Sequence, residues 1–315
     1  MRHQMRFAAA IWISVGMTCA AASAQQAAAS PYAERIRAQE SAVGSLHGQS
    51  DGVEWLKLAI LYQDAARYLD AERAYRKAIA MLKSKDRSTL AAALDHMGTM
   101  YVERGKFAKA EPLERKALAM RQDANDTEGI GTSYAHLATL SYGLHDLASA
   151  EGDAEMAVSL LVPEHADAAQ QSNATPEEKM SALIDLSLVQ CAQGNCAAAI
   201  GDLSCALRLA HANYPINSVA VGFIDFLLGY AHWKSGDDNT AAILMKCGIT
   251  EMETQLGWGH PTYISALRQY RAFLALRGQP TEAEELEIRI AGLEKSPQPA
   301  FRNPGTPALD LIQMR

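Results

Sequence analysis

Apolar and polar residues alternate along this chain at spacings that predict pairs of helices rather than strands. In residues 97–120, "MGTMYVERGKFAKAEPLERKALAM", small residues stand at Gly98, Ala110 and Ala117, and Gly105 lies between the first two. Small side chains at such positions let two helix backbones approach each other, and glycine suits the left-handed conformation of a tight turn. The stretch therefore predicts two short helices that meet across a turn.

The same spacing of small residues recurs four more times along the chain. The further triplets are Ala59, Ala71 and Ala78; Ala138, Ala150 and Ala157; Ser187, Ala199 and Ala206; and Gly229, Ala241 and Gly248. Larger apolar residues such as Leu94, Met97 and Tyr101 fall where each first helix needs a buried stripe. Glycines stand at one common offset in four of the repeats, at Gly105, Gly194, Gly236 and Gly278. We expect each of them to end a helix.

This pattern resembles the tetratricopeptide repeat family, whose units are helix-turn-helix pairs of about 34 residues. The resemblance covers residues 52–292, with repeats that start near 52, 91, 131, 180, 222 and 264. The longer period, together with His260-Pro261 and Glu282-Ala283-Glu284, is similar to the kinesin light chain subtype. The resemblance implies an all-α fold, a right-handed superhelical solenoid of about six repeats whose first helices line a concave groove.

The segments outside the repeats have a different character. Residues 25–51 predict a linker with one short helix around 32–42, and the proline-rich residues 293–315 predict a tail. Between the third and fourth repeats, a polar stretch predicts an exposed loop that ends at Thr175-Pro176-Glu177-Glu178. This tetrapeptide supplies an N-cap, a proline at the first helical position and a capping glutamate, so we expect the next helix to begin there.

Residues 1–24 have the pattern of a signal peptide. Arg2 and Arg6 precede an apolar run over residues 7–22, and Ala22-Ser23-Ala24 fits the small-residue rule for cleavage. We expect cleavage after Ala24 and a periplasmic or secreted location in a bacterium. The alternative of an uncleaved anchor is disfavoured because the run is short for a bilayer, and no later segment is apolar enough to cross one.

Composition narrows the range of partners. The chain has 315 residues, 49% hydrophobic and 21% charged, which is ordinary for a soluble globular protein. Its formal net charge of −7 becomes −9 when the two arginines of the signal peptide are removed. An acidic chain is not suited to binding nucleic acid.

Four cysteines follow the predicted cleavage site. Cys191 and Cys196 flank a tight turn and could form a disulfide in an exported chain, whereas Cys205 and Cys247 should lie too far apart on neighbouring helices. The favoured reading is four partly buried thiols that act as small apolar groups.

Residues that point away from the buried stripes are the candidates for partner binding. The second and third repeats present a polar wall that includes Asp95, His96, Thr99, His136 and Tyr142, and the fifth presents Phe223, Phe226, Tyr230 and Trp233. The aromatic stripe suggests a platform for an apolar peptide or a partner helix. The alternative is that these rings pack against the preceding repeat or receive the tail through Leu309, Leu311 and Ile312.

Two other uses of the groove fit the residues less well. A clamp for the carboxylate tail of a chaperone needs a basic cluster, and the corresponding wall offers Lys57, His96, His136 and Asp185. A metal or acid-base site around His96, His136 and Asp95 can be imagined, but no chelating motif, phosphate loop or nucleophile elbow is present. The sequence thus predicts no catalytic, cofactor-binding or metal-binding residues.

These observations predict a non-catalytic scaffold or adaptor that binds a peptide or protein in the groove. Two alternatives come from other classes of protein. One is a structural subunit of an envelope or secretion assembly, and the other is a metal-dependent hydrolase that uses the groove.

Overall fold

The chain folds into a succession of antiparallel helices. The computed structural model describes residues 31–45, 51–65, 67–82, 86–163, 172–256 and 261–295, and within them thirteen helices have both ends defined and no strand occurs. The helices are α1 (Pro31–Ser45), α2 (Gly52–Asp64), α3 (Tyr68–Leu82), α4 (Arg87–Glu103), α5 (Phe107–Ala124), α6 (Thr127–Gly143), α7 (Leu147–Leu161), α8 (Pro176–Ala192), α9 (Cys196–Asn213), α10 (Val219–Lys234), α11 (Asp238–Leu256), α12 (Pro261–Leu276) and α13 (Pro280–Lys295).

Helices α2 to α13 form six consecutive pairs, and each pair is one repeat with a first and a second helix. Every pair packs internally and against the next pair along the chain. The all-α solenoid of about six helix-turn-helix repeats is therefore confirmed. The predicted signal peptide, the loop over residues 164–171 and tail residues 296–315 lie outside the described residues.

Most first helices begin three or four residues before the repeat start that was predicted from the sequence. Their N-cap side chains lie just outside the apolar pattern, at Asp51, Asp86, Asp126, Thr175 and Ser218, and each accepts a hydrogen bond from a backbone N–H of the first turn. At Thr175 the reciprocal bond from the N-cap backbone to Glu178 completes a capping box, with Pro176 as the first helical residue. The predicted start of α8 is confirmed.

The turns within repeats use left-handed residues at the offset that the glycines mark. Gly105, Gly194, Gly236 and Gly278 have φ values of 64°, 84°, 91° and 72°. The third repeat has His145 at the same offset, with φ of 62°. The turn geometry is thus common to repeats 2 to 6, and the third repeat adopts it with a residue other than glycine.

The small residues of the repeat are buried where helices approach. All eleven alanines of the five triplets are fully buried. A Cβ on Gly248 would overlap the carbonyl O of Gly222 and lie 2.7 Å from the amide N of Phe226, so α10 and α11 are in backbone contact. The apolar core falls into two large clusters, one over repeats 1 to 3 and one over repeats 3 to 6, which meet on α6.

Cys191 and Cys196 form a disulfide across the turn between α8 and α9, with their Cα atoms 4.2 Å apart. The favoured expectation of four thiols is wrong for this pair, because the turn at Gly194 brings the two helix ends together. Cys205 and Cys247 are thiols, as expected. None of the described helices combines the length and the apolar character that a bilayer crossing requires.

Candidate functional site

The first helices of neighbouring repeats lie side by side. Helix α4 contacts α2 and α6, and α8 contacts α6 and α10. We call the surface that they share the first-helix face. All nine predicted partner-binding residues stand on three of these helices, α4, α6 and α10.

The structure divides the nine residues by exposure. Asp95, Phe223 and Phe226 are buried, each at most 2% exposed, so the expectation that they line an open wall is wrong. Phe226 lies against Gly248 on α11, the second helix of its own repeat, and Asp95 pairs with Arg121 on α5. His96 is exposed, and the remaining five, Thr99, His136, Tyr142, Tyr230 and Trp233, are partly exposed on the face.

Buried charges join the second and third repeats. Asp95 on α4, Glu114 and Arg121 on α5, and His136 on α6 converge, and we call these four residues the ionic cluster. The His136 Nδ1 lies 3.4 Å from Glu114 Oε2 and 3.8 Å from Asp95 Oδ1. The Arg121 Nη1 forms an ion pair with Asp95 Oδ2. Three helices from two repeats thus meet through charged groups.

The guanidinium of Arg121 is fixed by further acceptors on α6. Its Nη1 donates to the carbonyl O of Gly129 at 3.0 Å and to Ser133 Oγ at 2.6 Å. Because Ser133 and the guanidinium are both shielded from solvent, these bonds hold Asp95 in a defined orientation.

The ionic cluster perturbs the protonation of its members. Burial raises the pKa of Glu114 to about 8, although the nearby His136 acts in the opposite direction. Burial disfavours the imidazolium of His136, but the charge of Glu114 and the close contacts of His136 with both carboxyl groups raise its pKa to about 10. Asp95 is also buried, and His136 and Arg121 hold its pKa below the usual range.

Asp185 on α8 extends this charged region into the fourth repeat. Burial raises the pKa of Asp185 to about 7, against the lowering effects of the His136 charge and of hydrogen bonds from Ser181 and Thr139. His136 thus lies close enough to influence both Asp95 and Asp185, whereas His96, the other histidine considered from the sequence, is exposed.

The fifth and sixth repeats meet through aromatic rings instead. Trp233 on α10 makes edge contacts with Tyr230 at 5.7 Å and with Phe273 on α12 at 5.5 Å between ring centroids. Tyr270 stacks on Phe273 at 5.9 Å. The Lys234 ammonium lies 4.3 Å from the centroid of the Trp233 ring. Such contacts add to the stabilisation that burial of the rings provides.

A pocket of about 620 Å³ opens beside these rings, between α10, α12 and α13. Tyr230, Trp233 and Lys234 line one wall, and Ile290 lies on another. The two arginines of the pocket are paired, Arg268 with Glu294 and Arg271 with Glu287. In the described part of the chain, no carboxylate pairs with the ammonium of Lys234, which leaves one cation beside two aromatic surfaces.

Sequence reasoning missed Glu114 and Arg121, although a signal for both was present. At the register of Glu114, repeats 1, 3, 4 and 5 have the buried apolar residues Tyr75, Ala154, Leu203 and Met245. At the register of Arg121 they have Leu82, Leu161, Ala210 and Met252. Two opposite charges at core positions of one repeat would have indicated a buried pair.

Comparisons with known proteins agree with this architecture. Residues 53–123 match the family model described as tetratricopeptide repeat. No curated protein matches the chain in sequence.

Several solved structures share the fold. BtubC (BKLC) from P. vanneervenii is similar with a TM-score of 0.55 and 18% identity, over 79% of this chain and 95% of that one. Repeats of a kinesin light chain type from Podosopora anserina give a TM-score of 0.52 and 16% identity, over 67% and 96% of the two chains. A Rap protein in complex with competence and sporulation factor gives a TM-score of 0.55 and 13% identity, over 80% and 72%. At these identities the likeness shows the fold alone.

Proposed function

We propose that this chain, which carries tetratricopeptide repeats in a solenoid of that type, is a non-catalytic scaffold or adaptor that binds a peptide or partner protein. The binding surface is the part of the first-helix face at repeats 5 and 6, together with the pocket that opens there beside Tyr230 and Trp233. The observation that carries the proposal is this pocket of about 620 Å³, where two partly exposed aromatic rings and Lys234 are presented together.

The chemistry of the pocket fits a peptide segment. Aromatic side chains at the centre of a surface provide large contact areas with little loss of conformational entropy, and they dominate many binding interfaces. Lys234 can meet a carboxylate or a backbone carbonyl at the rim. The Rap protein of similar fold, solved in complex with a factor, illustrates that a solenoid of this architecture can hold a partner.

We also propose that the protein is exported, with a mature chain that begins at Gln25 in the periplasm or outside a bacterial cell. The signal-like residues 1–24 and the Cys191–Cys196 disulfide support this location, because disulfides persist in oxidising compartments. The mass of the mature protein, purified from a periplasmic extract, tests the cleavage position. A chain that retains residues 1–24 would contradict it.

Partner binding is tested by proximity labelling with the full chain, followed by binding measurements with the purified labelled partner. Trp233→Ala is expected to abolish labelling of one partner. The matched control is Trp55→Ala, because Trp55 is also partly exposed and lies under a lysine, with Lys77 Nζ 4.1 Å from its ring centroid. Equal loss in both variants, or in neither, would count against the pocket as the binding site.

The tail is a rival occupant of the same pocket. Trp233 fluorescence in a chain that ends at Ser296 distinguishes the two cases. An emission spectrum that matches the full chain supports a pocket open to a partner, and a shift to longer wavelength shows that residues 297–315 cover the rings.

A further inference from the structure

The ionic cluster occupies positions that other repeats fill with apolar side chains. Asp95 stands at the register of Leu56, Ala135, Ile184 and Phe226, all buried. Three of the four cluster residues, Asp95, Glu114 and Arg121, are therefore charged replacements for core residues within a single repeat. Buried ion pairs stabilise a fold no better than well-packed apolar residues of similar volume. Stability alone does not explain why this repeat carries them.

Glu114 is the member of the ionic cluster with the most deeply buried side chain. Its side chain is fully buried, and among the described residues neither carboxylate oxygen has a hydrogen-bond partner of good geometry. Leaving a buried carboxylate in this state costs free energy unless a further positive group completes its surroundings. Both oxygens of Asp95 and the Nδ1 of His136 also lack hydrogen bonds of good geometry within the described chain.

Gly98 provides the space for this carboxylate. A Cβ at position 98 would overlap Glu114 Oε1 and lie 2.7 Å from Glu114 Cδ. The glycine of the opening motif therefore does more than allow two helices to approach. Because residue 98 has no Cβ, the end of the Glu114 side chain can occupy the space beside it.

The donor atoms are spaced as ligands of one small cation are spaced. Ligands about 2.0 to 2.2 Å from a tetrahedral zinc ion lie about 3.3 to 3.6 Å from one another. The His136 Nδ1 is 3.4 Å from Glu114 Oε2 and 3.8 Å from Asp95 Oδ1, and one donor atom from each residue lies within 4.8 Å of the others. The His136–Glu114 pair already has this separation, and the other pairs need to close by about 1 Å at most.

Arg121 orients Asp95 and is not itself one of the proposed ligands. Its Nη1 binds Asp95 through Oδ2 and is also held by Gly129 and Ser133, which leaves Oδ1 directed towards His136. Ligating carboxylates in metal sites are commonly held by such a hydrogen-bond donor behind them.

We propose that Asp95, Glu114 and His136 bind one divalent transition-metal cation, with zinc as the preferred ion. A set of one imidazole and two carboxylates suits zinc, whereas magnesium and calcium prefer oxygen ligands alone. The ligating atoms of all three residues are buried, and only the remainder of the His136 ring reaches the first-helix face, where 20% of the side chain is exposed. The cation joins α4, α5 and α6 and thereby clamps the second repeat to the third. The site is separate from the pocket at Trp233.

The test is calorimetric titration of zinc chloride into the full chain after treatment with a chelator. We expect one zinc ion per chain, and a rise in melting temperature with zinc because only the folded chain presents the three ligands together. Glu114→Gln and His136→Asn should each weaken zinc binding by about tenfold or more. Cobalt chloride in place of zinc should give the visible absorption of a tetrahedral site of oxygen and nitrogen ligands.

The matched control is His232→Asn. His232 Nδ1 lies 3.3 Å from Asp237 Oδ2, which makes it a second histidine-carboxylate pair that lacks the third ligand. This variant should bind zinc as the unmodified chain does. The proposal is overturned if the unmodified chain binds no zinc, if either cluster variant keeps its affinity, if His232→Asn loses it, or if a cobalt-thiolate band in the near ultraviolet shows that cysteines bind the metal.

Circular dichroism of each metal-free variant separates loss of ligand from loss of fold. Glu114→Gln preserves shape, and His136 is partly exposed, so both variants should keep the helical spectrum. If Glu114→Gln does not fold, His136→Asn alone decides the outcome.

Discussion

Asp95 in the second repeat and Phe226 in the fifth stand at the same register of the first helix, and both are 2% exposed. Around Asp95 the neighbours are Arg121, Glu114 and His136, whereas around Phe226 they include the backbone of Gly248. The contacts of repeat 2 with repeat 3 therefore include buried charges, whereas the contact between the two helices of repeat 5 is apolar and tightly packed.

The difference shows that the solenoid requires a fixed approach of its helices but does not require one type of side chain between them. Small residues at fixed offsets set the approach of the helices in both regions, at Gly98 and at Gly248. At Gly248 the missing Cβ admits another backbone, and at Gly98 it admits a carboxylate. The backbone geometry of the repeat is thus compatible with opposite chemistries in its core, and the side chains between the helices are available for specific roles.

The largest effect is expected from Arg121→Met. The substitution removes the guanidinium that pairs with Asp95 and leaves His136 as the remaining basic group beside Asp95 and Glu114. Loss of one partner of a buried pair costs about 3 to 5 kcal/mol. Urea unfolding measures the change in the free energy of unfolding. The control is Arg115→Met, which removes an exposed ion pair to Glu111 and should cost about 0.5 kcal/mol or less. Similar small losses in both variants would show that the ionic cluster does not behave as a buried network.

Gly248→Ala should be nearly as damaging in the apolar region. The added methyl group meets the backbone of α10 and forces the helices apart, at a cost of about 3 kcal/mol. Gly98→Ala meets only the end of the Glu114 side chain and should cost about 1 kcal/mol. Gly152→Ala, on α7 with open space around it, should stabilise the chain slightly. Thermal unfolding ranks the three variants, and a larger loss for Gly98→Ala than for Gly248→Ala would reverse the distinction drawn here.

Asp185→Asn should raise stability in a manner that depends on pH. The pKa of Asp185 is about 7 in the folded chain, above the value of about 4 expected when unfolded, so the unfolded chain releases its proton first as pH rises. Stability therefore falls between about pH 4 and pH 7. The variant should gain about 2 kcal/mol at pH 8 and almost nothing at pH 4. Denaturant unfolding at both pH values checks the sign, and an equal gain at both would mean that Asp185 is ionised in the fold.

The smallest change is expected when the ionic region is converted to the apolar type. A triple variant, Asp95→Leu, Glu114→Met and Arg121→Leu, copies residues that other repeats use at these registers. Its stability should range from unchanged to about 2 kcal/mol higher. Melting temperature measures this, with zinc titration in parallel, because the variant should no longer bind zinc. A loss of several kcal/mol would indicate that the charges are needed for folding.

The fold could be predicted from the sequence because the same small residues and turn residues recur at the same offsets in most repeats. The alanine triplets, the turn glycines and the Thr175 cap act through short-range sterics and hydrogen bonds, and all of them adopt the predicted geometry. The same register places Asp95 and His136 on neighbouring first helices, and the structure brings His136 Nδ1 within 3.8 Å of Asp95 Oδ1.

The exposure of each site residue depended on contacts between helices. Phe223 and Phe226 have the periodicity of an exposed stripe, yet both belong to the apolar core, and Phe226 lies against Gly248 on α11. Glu114 and Arg121 are spaced like surface charges on a helix, so their burial becomes visible only when the repeats are aligned with one another. The disulfide depended on the distance between the end of α8 and the start of α9, which the sequence alone does not fix.

The division of the apolar core on α6 has a mechanical consequence. On the side of repeats 4 to 6, helix α6 packs into one large apolar cluster, whereas on the side of repeats 1 and 2 its apolar contacts are accompanied by the ionic cluster. Under a pulling force or in mild denaturant, we expect repeats 1 and 2 to separate there first, while repeats 4 to 6 stay folded.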